Sequence, residues 1–299
     1  MVDFYLQHEY WFAATQLFLA MLGMGATLAP KYFHEVVAEP KAVSVGISTQ
    51  LLAVPLVAFL FIYFGSFTAS LTIGIALIAA IPGGTVSNIF AHLAKGSTPL
   101  SISITAITTI ACLVTTPFIL SFLVAEYLPE NFSMPAGKIA IDIGACLLLP
   151  LLLGMCVFRF MHKIAEPFAN WCVRISLFVI LLIVLGSIGA GSLDLAEFGT
   201  QNILILVCFF LALAAVGHLV PRMLSLNHAD RVAIEMEVVV RNVNLGLLLN
   251  ASLFPATSKE FAATGNIVLL ALLLFGSMQL ILGIALVTIN RRKASLSVL

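Results

Sequence analysis

Charge is what this sequence has least of. Asp, Glu, Lys and Arg make up 9 % of its 299 residues, against 61 % hydrophobic ones. Soluble domains carry about 25 % charged and 45–50 % apolar residues, so this chain cannot cover itself with polar surface and its solvent must be lipid. A basic excess is missing too: 14 Lys and Arg offset 14 Asp and Glu, which argues against nucleic acid as a partner, since that calls for a basic face. The five cysteines (Cys112, Cys146, Cys156, Cys172, Cys208) lie inside apolar runs with neither close pairs nor metal-ligand spacing. They read as small hydrophobes in helix packing. A basic segment ahead of a short apolar core and cleavage site is lacking, so no cleaved signal peptide is expected. No two of the six histidines form a His-Glu-x-x-His pattern, the mark of a zinc protease. Ser87 has only His92 nearby as a base, and no filter repeat of a pore is found. These absences turn the reading away from an enzyme and leave an ion channel as a remote alternative.

What is present is a series of long apolar segments. Nine are expected to span a bilayer, at about 10–29, 41–63, 68–94, 99–125, 136–160, 168–192, 201–221, 229–255 and 262–290, since a crossing helix needs about 20 apolar residues. Ten of the 14 Lys and Arg fall in loops on one side: Lys31, Lys41, Lys95, Arg159, Lys163, Arg222, Arg231, Arg291, Arg292 and Lys293. Lys138 and Lys259 fall on the other, and Arg174 and Arg241 within spans. The positive-inside rule then sets the N-terminus outside and the C-terminus in the cytoplasm of a cell (inner or plasma) membrane. Trp11 and Trp171 near span ends are interfacial anchors. The expected fold class is an all-α membrane protein of nine transmembrane helices in one membrane domain, residues 1–299.

Two spans are interrupted. The third, LTIGIALIAAIPGGTVSNIFAHLA, carries Pro82, Gly83 and Gly84 in mid-membrane, followed by Thr85, Ser87 and Asn88. Proline removes a backbone donor and clashes with the preceding turn, and glycine weakens what remains. Freed backbone groups survive in hydrocarbon only where protein or a water-filled cavity satisfies them. The eighth, RVAIEMEVVVRNVNLGLLLNASLF, buries Glu235, Glu237, Arg241, Asn242, Asn244 and Asn250 at membrane depth. Each ionised group there costs about 2.5–3.5 kcal/mol on insertion scales. A Glu237–Arg241 pair at i and i+4 that merely neutralises itself is one reading; the surplus asparagines favour a polar site. Two interrupted segments in opposite halves point to a secondary transporter of inverted repeats. Their offset of five spans fits a five-plus-five repeat lacking its first helix, with residues 1–128 the first copy and 129–299 the second.

PGGTVSNIFAHLAKGSTPLSISIT and EVVVRNVNLG resemble the two crossover motifs of the bile acid:sodium symporter family, with supporting matches in GMGATL (23–28), STQLLAVP (48–55) and LLLPLLLG (147–154). The resemblance implies two broken helices that cross in a core domain, formed in part by spans within 41–128 and 201–290. It also implies a panel domain of the remaining helices and an organic-anion cavity between the two. A first sodium site would use Ser87, Asn88, Ser101, Thr105 and Glu237. A second would use Gln50, Glu237 and the position of Arg241, where the family usually has glutamine. Hydroxyl, amide and carboxylate oxygens suit a hard cation, and Ser101 and Thr105 share one helix face. A guanidinium is donor-only and cannot ligate a cation. Arg241 is therefore expected to replace the second sodium, either paired with Glu237 or turned toward a substrate carboxylate.

The expected function is sodium-coupled symport of an organic anion, bile-acid-like or a small carboxylate, by alternating access. Thr85, Arg241, Asn242, Asn244 and Gln279 are the candidate substrate residues. The alternative is a sodium-independent carrier of the same fold, proton-linked or facilitative, which Arg241 and Asp142 favour. His218 reads as an interfacial or packing residue, Arg174 as snorkelling, and His92 and Ser277 as weaker candidates for the cavity wall.

Overall fold

The computed structural model describes residues 2–29, 40–128, 132 and 134–296. Lys31 lies outside the described residues, as do the side chains of Arg292 and Lys293. Among the described residues eleven helices follow in order: α1 (Val2–Gly25), α2 (Pro40–Phe64), α3 (Ala69–Ala80), α4 (Thr85–Leu93), α5 (Thr98–Val124), α6 (Ala136–Phe160), α7 (His162–Gly189), α8 (Leu195–Met223), α9 (His228–Val239), α10 (Val243–Leu253) and α11 (Ala262–Leu296). Among the described residues there is no strand, only one isolated antiparallel bridge between Gly83 and Arg241. Six helices, α2, α5, α6, α7, α8 and α11, are long and apolar enough to cross a bilayer, while α3 and α10 are shorter apolar pieces.

The expected boundaries hold within a few residues, with four exceptions: α7 opens at His162 instead of 168, α11 runs on to Leu296 instead of 290, and the starts of α1 and α8 come early. α1 begins about two turns before the expected start at residue 10. Its first turns carry Asp3, His8 and Glu9, which lower hydropathy without lowering helix formation. α8 opens one turn early behind Asp194, whose carboxylate accepts from the Ala196 and Glu197 amides at 2.8 and 3.1 Å. Gly199, at φ +78°, then re-aims the chain into the long apolar stretch. Only glycine takes that conformation without strain.

Helix surfaces show what solvates them. Val114, Phe118 and Phe122 follow one face of α5 and are 74, 70 and 63 % exposed. A run of that kind would aggregate in water and is ordinary against lipid tails. Two π turns, Thr49–Ala53 in α2 and Gly144–Leu148 in α6, each end just before a proline, Pro55 and Pro150. The proline lacks its N–H, so the ladder widens to i−5, Val54 N to Thr49 O and Leu149 N to Gly144 O. The first π turn carries Gln50.

α1 packs on α6 and α7, and meets the rest of the molecule through α10. α3 lies against α5 and α11, and α9 against α4, α5 and α8. Near the start of α1, polar links tie the two groups. Asp142 accepts from Tyr10 Oη at 2.8 Å and Ser252 Oγ at 2.5 Å. Lys138 donates to the Ser252 carbonyl at 2.7 Å and the Ala256 amide to Glu9 at 2.6 Å. Other polar residues of the spans are spent on packing. His218 meets Glu235 at 3.3 Å, Asn250 donates to the Gly265 carbonyl of α11, and Arg174 sits over the Trp171 ring. His92 meets Thr98 at the turn into α5.

Candidate ion and substrate site

Both interruptions are true breaks. α3 ends at Ile81, whose ψ of 148° is extended, and α4 starts behind Gly84, also extended. α9 ends at Val240 and α10 starts behind Asn242, both non-helical. The two breaks meet. Gly84 N donates to Val240 O at 3.0 Å and Asn242 N to Pro82 O at 2.8 Å. The backbone groups freed by one break are thus satisfied by the other, which is how non-helical chain survives at that depth. The close approach needs glycine. A Cβ on Gly83 would stand 2.4 Å from Glu237 Oε2, and one on Gly84 would stand 3.1 Å from the Arg241 carbonyl. Gly83→Ala is expected to displace the Glu237 carboxylate and cost about 1–3 kcal/mol, the range for an overpacked core. A thermal melt of the variant with and without sodium checks both the cost and the loss of the ion response.

Around Glu237, which is 0 % exposed, the sequence-predicted oxygens converge. Its Oε1 accepts from Ser87 Oγ and Ser101 Oγ at 2.5 Å each. Thr105 Oγ1 lies 2.9 and 2.8 Å from the two carboxylate oxygens, and Gln50 Nε2 donates to Oε2 at 3.0 Å. Asn88 Oδ1 accepts from Ser101 at 2.8 Å and Thr105 at 3.2 Å. Ser87 also reaches the Gly84 carbonyl, and Thr105 the Ser101 carbonyl. Each hydroxyl has one proton. Three hydroxyl protons therefore face five acceptors: two carboxylate oxygens, one amide oxygen and two carbonyls. Lone pairs outnumber protons, and the surplus suits a hard monovalent or divalent cation.

Arg241 is 2 % exposed and stands between the carboxylate and the cavity wall. No Glu237–Arg241 salt bridge forms. Its guanidinium donates instead to the carbonyls of Ile78, Ala79 and Ile81, at the C-terminal end of α3. There the helix dipole and unpaired carbonyls favour a cation. Arg241 Nη1 also reaches Gln50 Oε1 at 3.3 Å, an oxygen that already accepts from Gly83 N at 2.9 Å. The Gln50 oxygen thus has both lone pairs engaged by donors.

Beside the crossing lies a cavity of about 370 Å³ between α1 and α7 on one side and α4, α10 and α11 on the other. Thr85, Arg241, Asn242, Asn244, Ser277 and Gln279 all line it, as expected. Asn242 Oδ1 caps α10 through Leu245 N, and Gln279 Oε1 accepts from Arg241 N at 2.9 Å. The first residues of both α4 and α10 form part of the wall. The leading N–H groups of a helix have no partner within it and carry partial positive charge, so two helix starts here offer an anion site. Val173, Leu177, Ile180 and Leu273 make the wall between largely apolar. Gln16 and Ser176 also line it. Sequence reasoning missed both: Gln16 beside Thr15, and Ser176 two residues after Arg174, stand in otherwise apolar runs and carry no motif.

Known proteins resemble this sequence. The family model for the sodium bile acid symporter family matches residues 14–198. An uncharacterized sodium-dependent transporter of Bacillus subtilis, YocS, is 30 % identical over 80 % of this chain and 74 % of its own length. A probable chloroplastic sodium/metabolite cotransporter of rice, BASS2, is 28 % identical over 77 % of this chain and 54 % of its own. A sodium-dependent organic anion transporter of Bos taurus is 28 % identical over 72 % and 55 %. With the model matching more than half of its length, this multi-pass membrane chain belongs to the sodium bile acid symporter family.

Proposed function

We propose that the chain is a sodium-coupled symporter of an organic anion that works by alternating access across a cell membrane, N-terminus outside. One observation carries the reading. Two broken helices meet at a carboxylate ringed by hydroxyls, and the same breaks aim two helix starts into one apolar-walled cavity. Ser87, Asn88, Ser101, Thr105 and Glu237 hold one sodium ion. Thr85, Asn242, Asn244 and the N–H groups beside them hold the substrate carboxylate, with Gln279 fixing the second break and lining the cavity. In this reading α3 with α4 and α9 with α10 each make one crossing. The chain then crosses nine times, as inverted repeats 1–128 and 129–299. α1, α6 and α7 form the panel and the remaining helices the core, which rock against each other. Sodium couples to the substrate because it braces the crossing in the state that binds the anion better.

Arg241 takes the place of a second ion. Its fixed positive charge balances Glu237, so one sodium and one monocarboxylate enter together without net charge. A metabolite screen by thermal shift, with and without sodium, identifies the acid. Its uptake into proteoliposomes is then expected to rise with sodium at a Hill coefficient of about one. A coefficient of about two overturns the single site. Uptake indifferent to sodium overturns coupling and leaves the proton-linked or facilitative carrier.

A further inference from the structure

One buried acceptor in the cavity wall is left over. Gln16 of α1 is 2 % exposed. Its Nε2 donates to Ser176 Oγ at 3.1 Å, and Ser176 Oγ donates its own proton to the Gln16 carbonyl at 3.1 Å. The second bond fixes the orientation of the amide. With the serine proton committed, the group facing Ser176 must be the NH₂. Gln16 Oε1 then has no hydrogen-bond partner. A buried carboxamide oxygen without a donor costs about 1–3 kcal/mol, and natural interiors rarely tolerate it unless a ligand or water completes it. Both Gln16 and Ser176 border the cavity, on α1 and α7, while the helix starts of α4 and α10 border it from the other group of helices. The wall in between is apolar.

We infer that Gln16 is a substrate-recognition residue whose Oε1 accepts a hydrogen bond from a hydroxyl or N–H of the transported acid. The inference rests on the organic-anion reading and narrows it. The preferred class is carboxylates with an apolar body and a second, donor-bearing group set apart from the carboxylate. A pocket that presents an unpaired acceptor discriminates strongly against an analogue lacking the donor.

The test uses the full chain in lipid nanodiscs with sodium present. Binding of cyclohexanecarboxylate is compared by calorimetry with that of its monohydroxylated ring isomers. One isomer is expected to bind at least about tenfold tighter than the parent, a factor that corresponds to one satisfied hydrogen bond. Gln16→Leu is expected to bring the two within about twofold. A general loss of packing would weaken both acids alike and preserve the ratio. Ser176→Ala, which frees the amide to turn its NH₂ inward, is expected to erode the preference as well. Equal binding of the parent and every isomer by the wild type overturns the inference and leaves the carrier reading standing. Binding of none of these carboxylates removes the organic-anion reading and the inference with it.

Discussion

Glu237→Gln is expected to abolish sodium-driven uptake while leaving a folded protein. The substitution keeps the size of the side chain and removes the charge that offsets desolvation of the ion. It also adds an NH₂ group, which must find an acceptor among the hydroxyl oxygens that now surround the carboxylate. The amide would thus occupy a second oxygen of the site. Bonds to a charged group contribute about 1.5–3 kcal/mol each, so the loss of sodium affinity is at least about 100-fold. Two readouts follow. The rise in melting temperature on adding sodium disappears, and uptake at saturating substrate no longer responds to a sodium gradient. A variant whose stability still rises with sodium as in the wild type would remove Glu237, and the hydroxyls around it, from the ion site.

Arg241→Gln is expected to have the second large effect, and in two opposed parts. Without the guanidinium, the Ile78, Ala79 and Ile81 carbonyls lose their donors in a buried setting. Unpaired acceptors cost about 1–3 kcal/mol each, so the loss of all three donors costs at least about 3 kcal/mol. A fall in melting temperature of at least roughly 6 °C in sodium-free buffer follows for a chain of this size. Sodium should then restore more stability than in the wild type, because a cation can enter where the guanidinium lay. The Hill coefficient moves toward about two, and uptake of a monocarboxylate, insensitive to membrane potential in the wild type, becomes driven by an inside-negative potential. A variant as stable as the wild type, with unchanged sodium dependence, would show that Arg241 neither braces α3 nor stands in for an ion.

The first break was legible because its cause is local. Pro82 withholds a donor, and Gly83 and Gly84 admit the close approach. The second break has no such signal: VVVRNVN contains neither proline nor glycine. It was legible only through the expense of its polar residues. What opens the chain there is tertiary, the Gln279 side chain on Arg241 N and the Pro82 carbonyl on Asn242 N. The oxygens singled out through their motifs do converge around Glu237. Three partners of the Arg241 guanidinium were out of reach because they are backbone carbonyls, which leave no mark on residue identity. Gln16 and Ser176 were missed for a related reason. A lone amide or hydroxyl in an apolar run reads as helix packing until its neighbours are known. The π turns before Pro55 and Pro150 were likewise hidden, since a proline within a span announces a disturbance without saying how the ladder absorbs it.

The contacts between α1 and the crossing differ in kind from those within it. The two breaks are stitched to each other by backbone hydrogen bonds, whereas the side-chain hydrogen bonds of Thr85 and Asn242 to α1 end on the sulfur atoms of Met24 and Met21, at 3.2 and 3.9 Å. Thioethers are polarisable, weak acceptors on flexible stems, so a side chain resting on one gives up little when it slides past. In the proposed alternating-access cycle the seam at mid-depth would behave as a lubricated bearing, and the Glu9, Lys138 and Asp142 links at its rim as a catch to be sprung before it turns.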